Sequence, residues 1–321
     1  MITQIAKLIT QIKNRFKKVV FIVGPTGVGK TQAGLSLSAL LPCEFISADS
    51  MQIYQGMDII TDKLPPDLRK KYPHHLVDII PVTKDHNVAD FVRSAKAAVE
   101  EIIKKKKTPV VIGGTGLYVN SLIHGIFEAD SNDPELRLRL EAQAQASGTA
   151  ALYEKLKACD PDAAAKINVS DKRRIIRALE VCEVAKRPIS DLQRERHGLA
   201  DEYDILLFGL RRKRDDLYRR IEQRVDFMAN AGLLDEVRLL LGGKLSRTAY
   251  MCIGVREIEG FLKGEYDLNE ALRLIKINSR HFAKRQMTWF NKSKDINWID
   301  VAPDEDMGLT AKKIFKIIAG E

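Results

Sequence analysis

An α/β fold, a parallel sheet with helices on both faces and an all-helical insertion, is what this sequence predicts, and three observations carry the prediction. Short apolar runs at residues 19–23, 44–47, 110–112 and 203–210 alternate with stretches of helical periodicity. The first run leads straight into a glycine-rich turn, "GPTGVGKT", at 24–31. Between about 130 and 190 no strand-like run occurs at all.

Taken in order, residues 1–18 place Ile2, Ile5, Leu8, Ile9, Ile12 and Phe16 at helical spacing. A short amphipathic helix packed on the core is expected there. The segment lacks the continuous apolar stretch and small-residue cleavage site of a signal peptide. Strand 19–23 runs through the turn into a helix over about 30–41. The second strand, "EFIS", ends at Ala48, Asp49 and Ser50. A helical pattern from about 88 to 106 passes through four lysines and Pro109 to a third strand, "VVIGGTG". Strands that alternate with helices imply right-handed crossovers and parallel pairing. Ligands then sit beyond the carboxyl ends of the strands, where both the turn and Asp49 fall. Residues 203–210 return to the sheet, and the remainder reads as helical apart from a short strand near 296–299. A core of 1–128 and 200–321 with a helical insertion of 129–199 is the expected organisation.

The turn has the spacing Gly24-x4-Gly29-Lys30-Thr31 of a phosphate-binding loop, so the core is expected to be P-loop NTPase-like. A glycine-rich turn that opens a helix presents N–H groups and the positive end of the helix dipole to an anion. Lys30 would reach the terminal phosphates and Thr31 would ligate Mg²⁺. An ATPase of this class usually closes a second apolar strand with a metal-holding acid, but strand 110–112 ends in "GGTG". The acid at a strand end is Asp49. It is either a helix N-cap or metal-shell carboxylate, or a general base facing the phosphate site. Thr115 is either a further phosphate contact or part of a tight turn.

The bulk numbers narrow the classes. The chain has 321 residues, 45% of them apolar, enough for two domains or one domain with a large insertion. A net charge of +9 and a pI near 9.2 suit a polyanionic partner. Cys43, Cys159, Cys182 and Cys252 are far apart, so neither a disulfide framework nor a zinc site is expected. No apolar run approaches a membrane span. A cytoplasmic protein is the expectation, without membrane contact.

Three basic clusters stand out. "KRRIIR" groups Arg173, Arg174 and Arg177. "RRKRDDLYRRIEQR" interleaves arginines with acids, as on a solvated face laced with i,i+4 pairs. Residues 273–294 contain seven Lys/Arg and no acid, with Arg273, Lys276, Arg280 and Lys284 on one helical stripe. An unpaired stripe ending near Trp289 suits a phosphate backbone with an unstacked base beside it; Trp289 fits a core position equally well.

The segments "GPTGVGKT", "ISADSMQIYQGMDIITDK", "PHHLVDI", "VVIGGTGLY", "DPELR", "KRRIIRALEV" and "AKRQMTWF", in this order, resemble the tRNA dimethylallyltransferases, or isopentenyl transferases, from about residue 19 to 299. The resemblance implies transfer of a dimethylallyl group from dimethylallyl diphosphate to N6 of adenosine 37 in tRNAs that read codons beginning with U. It implies Mg²⁺ as cofactor, the tRNA anticodon stem-loop as partner and a monomer. Carried over by position, Gly24, Pro25, Thr26, Gly27, Val28, Gly29, Lys30 and Thr31 hold the diphosphate. Asp49 is the base, and Thr115 and Arg137 join Lys30 at the reaction centre. Contacts to tRNA are implied for Asp49, Ser50, Met51 and Gln52, and for Arg173, Arg174, Ile175, Ile176 and Arg177. The same holds for Met251, Cys252, Ile253, Gly254, Val255 and Arg256. A last group is Lys284, Arg285, Gln286 and Met287, with Thr288, Trp289, Phe290 and Asn291. Val255 departs from a common tyrosine and Asn291 from a frequent basic residue, and each bears on tRNA contacts. The eukaryotic zinc finger is not seen, which favours a bacterial-type enzyme. Three rivals remain: an adenylate isopentenyltransferase, a small-metabolite kinase, and an RNA-binding protein with a structural nucleotide site.

Overall fold

A computed structural model describes residues 18–127 and 133–321. The expected N-terminal helix lies outside the described residues, except Lys18, which begins the first strand. Six strands form one sheet: β1 (Lys18–Val23), β2 (Cys43–Ser47), β3 (His74–His75), β4 (Thr108–Gly113), β5 (Asp204–Arg211) and β6 (Asn297–Asp300). Their order is β3-β2-β4-β1-β5-β6, and every pairing is parallel. Strands β1, β2 and β4 are buried along nearly their whole length. Unbroken Val/Ile/Phe runs are what a parallel sheet covered on both faces demands. Strand β3 escapes the sequence pattern because it is two residues long and apolar at neither. It is tied to β2 through His75 Nε2 and the buried Glu44, 2.8 Å apart.

Helix α1 (Lys30–Leu37) follows β1 and stops short of the expected 41. Its last turn tightens, Leu40 N donating to Leu37 O at 2.9 Å, before Pro42, which cannot continue a helix. Helices α2 (Pro66–Lys71), α3 (Val88–Lys104) and α4 (Gly116–His124) complete the first half. Asn87 and Asp90 form a capping box at the start of α3, and Phe91, Val92, Ala95, Ala98, Val99 and Ile102 make its buried face.

The chain forms two compact units, one from residues up to Ile123 together with Glu202 onward, the other His124–Asp201. The second begins and ends a few residues outside 129–199. It holds α5 (Pro134–Cys159), α6 (Pro161–Ala164), α7 (Lys172–Ala185) and α8 (Ile189–Arg194) around an apolar core that includes Leu140, Leu152, Leu156, Ile175 and Leu179. After β5 the first unit adds α9 (Arg214–Asn230), α10 (Leu233–Leu241), α11 (Arg247–Tyr250), α12 (Val255–Leu262), α13 (Leu268–Phe290) and α14 (Met307–Ala319). These helices build a second apolar cluster, Tyr54, Met57, Val225, Leu233, Val237, Ile258 and Ile275 among them, beside the sheet's own core. Among the described residues no helix is long and apolar enough to cross a membrane.

Candidate active site

The glycine-rich turn leaves β1 at Val23 and enters α1 at Lys30, with Gly29 as N-cap. Gly24 takes a φ of 144°, and a Cβ there would lie 2.6 Å from the Leu210 carbonyl, so only glycine lets β1 leave the sheet against β5. The Lys30 ammonium lies across the turn, donating to the carbonyls of Gly24 (3.0 Å) and Pro25 (2.8 Å). Burial pulls its pKa down to about 8, against the attraction of Asp49 and with further repulsion from Arg224.

Three arginines of the second basic cluster hold the turn from outside. Arg212 Nε donates to Val28 O at 3.0 Å, Arg220 Nε to Gly27 O at 3.0 Å, and Arg224 Nη1 to Thr26 Oγ1. Arg224 also pairs with Asp62 at 3.1 Å. The expectation of a solvated face therefore fails for these positions: Arg220 and Arg224 of α9, and Arg212 just before it, face the loop. Gln286 completes the brace. It is buried, accepts from Thr26 N at 2.8 Å and donates to Gly114 O at 3.0 Å, so its side chain is a strut of the site.

Asp49 stands just past the end of β2. Its Oδ1 accepts from Met51 N (2.8 Å) and Gln52 N (3.4 Å), so it closes a turn; no helix starts here, and the helix N-cap expected as one alternative is not formed. The same side chain lines two cavities. One, about 400 Å³, is polar and includes Thr26, Lys30, Thr31, Asp62, Arg220 and Arg224. The other, about 230 Å³, is largely apolar, with Met51, Ile60, Val225, Met228, Cys252 and Phe282 in its wall. Asp49, Thr26, Thr61 and Arg224 belong to both linings. Thr115 Oγ1 accepts from Ser50 N at 3.3 Å, which sets it beside Asp49.

The glycines of "GGTG" serve packing, not flexibility. A Cβ at Gly113 would lie 2.3 Å from Ala48 O, at Gly114 2.1 Å from Gln286 Nε2, and at Gly116 2.1 Å from the Trp289 ring. Trp289 is thus packed on α4 while still 37% exposed.

The basic stripe on α13 is paired where it was expected to be free. Arg273 meets Glu270 (2.6 Å), Lys276 meets Asp226 (2.6 Å) and Arg280 meets Glu222 (2.5 Å). Lys284 and Arg285 are exposed, with no acid in ion-pair distance among the described residues. Phe290 is core. Of the segment at 251–256, Met251, Cys252, Ile253 and Gly254 line the apolar cavity. Arg256 is exposed and stacks on Tyr250. Val255 is fully buried in the second apolar cluster, which makes its departure a packing change.

In the second unit, Arg137 Nη2 (2.7 Å) and Arg177 Nη1 (2.9 Å) both donate to Oε2 of the fully buried Glu180. Arg173 and Arg174 are exposed on the same helix as Arg177, whereas Ile175 and Ile176 are buried core side chains. The sequence reading missed Arg212, Arg220, Arg224 and Glu180. No short-range signal marks them, because each acts on a residue far away in sequence or on an arginine that looked free.

No group of three or more His, Cys, Asp or Glu able to hold a metal occurs among the described residues. The oxygen set at the polar cavity, Thr31 with Asp49 and Asp62 nearby, suits a hard divalent cation that takes further oxygens from a diphosphate.

Residues 52–293 match the profile of the IPP transferase family. The chain is 46% identical over 286 residues to tRNA dimethylallyltransferase 2 of Geotalea uraniireducens (strain Rf4), a match covering 88% of this chain and 92% of that one. The solved tRNA isopentenylpyrophosphate transferase of Bacillus halodurans is similar at a TM-score of 0.71 and 40% identity, over 95% of this chain and 96% of that one. A eukaryotic dimethylallyltransferase acting on tRNA has a TM-score of 0.80 at 27% identity, over 95% of this chain and 80% of that one. With a family profile across most of its length and relatives of this identity, the chain belongs to the IPP transferase family.

Proposed function

We propose that this protein transfers the dimethylallyl group of dimethylallyl diphosphate to N6 of adenosine 37 in tRNAs that read codons beginning with U. The observation that carries the reaction is the meeting of a polar, phosphate-type cavity and an apolar cavity at one carboxylate, Asp49. The diphosphate lies on the loop amides with Lys30, Arg220 and Arg224 around it. The bond between the allylic C1 and the diphosphate oxygen breaks as the bond from N6 to C1 forms, and Asp49 takes the N6 proton. Charge that develops on the leaving diphosphate is met by fixed cations. Mg²⁺ bound at Thr31 and the diphosphate oxygens would supply Lewis-acid neutralisation of the same charge. Thr115 orients the acceptor beside Asp49, and the apolar cavity excludes water from an allylic cation that water would quench. An adenine must leave its stack for its N6 to reach Asp49 in the cavity wall. The Arg173, Arg174 and Arg177 cluster of the helical unit takes the stem-loop phosphates, together with Lys284, Arg285 and Arg256, and Arg137 keeps the reaction-centre role that the resemblance implies for it.

The test is incubation with Mg²⁺ and radiolabelled dimethylallyl diphosphate against tRNA, AMP and ATP separately. Label in tRNA at adenosine 37 supports the reading. Label in AMP or ATP makes this a free-nucleotide transferase, and ATP consumption without labelling returns the loop to ordinary nucleotide binding. In the same assay Asp49→Ala should lower turnover by roughly 10²–10⁴-fold with tRNA affinity nearly intact, since Asp49 is one contact among many; full turnover would remove Asp49 as the base.

A further inference from the structure

The wall shared by the two cavities is a short segment without regular structure. Ile60 and Thr61 face the apolar cavity, while Thr61, Asp62 and Lys63 face the polar one. Asp62 sits at a φ of 54°, an uncommon conformation that must be held by its surroundings. Backbone amides in such a segment need partners. Here three consecutive ones have a single partner: Asp58 N (2.9 Å) and Ile59 N (2.8 Å) donate to Glu236 Oε2, and Ile60 N (2.9 Å) donates to Glu236 Oε1. Glu236 lines neither cavity. It projects from the first turn of α10, which is anchored by the buried side chains Leu233, Val237 and Leu240.

From this nest the chain leads to an ion-pair contact beside the phosphate loop, at Arg224 Nε, which makes no hydrogen bond of its own. Asp62, two residues beyond the last amide that Glu236 holds, pairs with Arg224 at 3.1 Å, and Arg224 donates to Thr26 Oγ1. The far side of the segment is fastened separately, Lys63 Nζ donating to Tyr54 O (2.5 Å) and to Asp78 Oδ1 (2.9 Å).

We propose that Glu236 is a positioning residue for the donor site: by binding the amides of 58–60 it sets Asp62, and through Asp62 the Arg224 guanidinium that faces the diphosphate. The proposal rests on the donor site described under Proposed function. A carboxylate accepting three N–H bonds is a strong, preorganised contact, and an amide in its place must turn an NH₂ toward backbone donors.

The experiment compares wild type, Glu236→Gln and Asp62→Asn. Affinity for inorganic diphosphate with Mg²⁺ is measured by calorimetry, KM for dimethylallyl diphosphate and kcat by labelling, tRNA affinity by gel shift, and folding by thermal melt. Glu236→Gln should weaken diphosphate binding and raise the donor KM roughly tenfold or more, with tRNA affinity retained. Asp62→Asn should do the same to a smaller extent, and the double variant should show less than the sum of the two. A Glu236→Gln protein that melts earlier but keeps wild-type diphosphate affinity and donor KM overturns the proposal, since Glu236 would then serve stability alone. Additive effects in the double variant overturn the route through Asp62. Should Glu236→Gln not fold, an unchanged diphosphate affinity in Asp62→Asn overturns that route equally. If wild type labels no acceptor while Glu236→Gln still loses diphosphate, the positioning role stands and the transferase reading falls.

Discussion

Helices α9 and α13 carry the two basic segments of the first unit, and their charges go to opposite fates. On α9, arginines interleaved with acids look like a solvated face, yet Arg220 and Arg224 turn inward and hold the phosphate loop. On α13, a run of bases without an acid looks free, yet Lys276 and Arg280 are matched by Asp226 and Glu222 of α9. The buried residues Leu217, Ile221 and Val225 form the apolar stripe of α9. At 100° per residue, Arg220 and Arg224 flank that stripe on one side, Glu222 and Asp226 on the other. The middle turns of α9 thus send Arg220 and Arg224 to the site and Glu222 and Asp226 to the neighbouring helix. A charge count along the chain is blind to this, because pairing is decided by which faces meet.

The largest effect that would break this comparison is expected at Arg224. Arg224→Ala should lower kcat/KM for the prenyl donor by roughly 10²–10³-fold while tRNA affinity holds. A loss of tRNA affinity with an unchanged donor KM would return α9 to the RNA surface. Next come the exposed bases that end α13. Replacing both Lys284 and Arg285 by alanine should weaken tRNA binding and reduce the slope of log affinity against log salt by about 1.4, two phosphates at about 0.7 each. Replacing Lys276 and Arg280 should change that slope less, since their charge is already matched. Equal slopes for the two double variants would show the pairing to be immaterial.

Protonation of Lys30 sharpens the same contrast between buried and exposed cations. With its pKa pulled down to about 8, the ammonium is present below that value and lost as pH rises through it. Donor kcat/KM should fall roughly tenfold between pH 7 and pH 9, whereas tRNA affinity, carried by exposed arginines and lysines, should hardly move. A flat donor profile over that range would mean Lys30 stays charged in the free protein. The smallest effect is expected at the Lys276–Asp226 pair, where Lys276→Ala should cost no more than about 1 kcal/mol in a denaturant melt.

The alternation of β1, β2, β4 and β5 with helices, the phosphate loop and the position of Asp49 at a strand end were legible in the sequence, whereas α2 and the two-residue β3 were not. Each depends on residues a few positions apart: apolar runs that must be buried on both faces, and a glycine turn that must open a helix. Val255, Ile175, Ile176 and Phe290 lie in segments matched by resemblance, yet each is buried in a core, because a helix that presents some side chains to a ligand must bury others. What tertiary structure alone decided is which distant groups hold the phosphate loop and neutralise part of α13. Thr26 and Gln286 are 260 residues apart, Thr26 and Arg224 are 198 apart, and Lys276 and Arg280 of α13 find their acids on α9. Local periodicity dictates which way a helix turns its faces. Only the packing of the whole chain brings a particular carboxylate, such as Glu180 or Glu236, within 3 Å of the groups it holds, and hydrogen bonds and ion pairs act at no greater range.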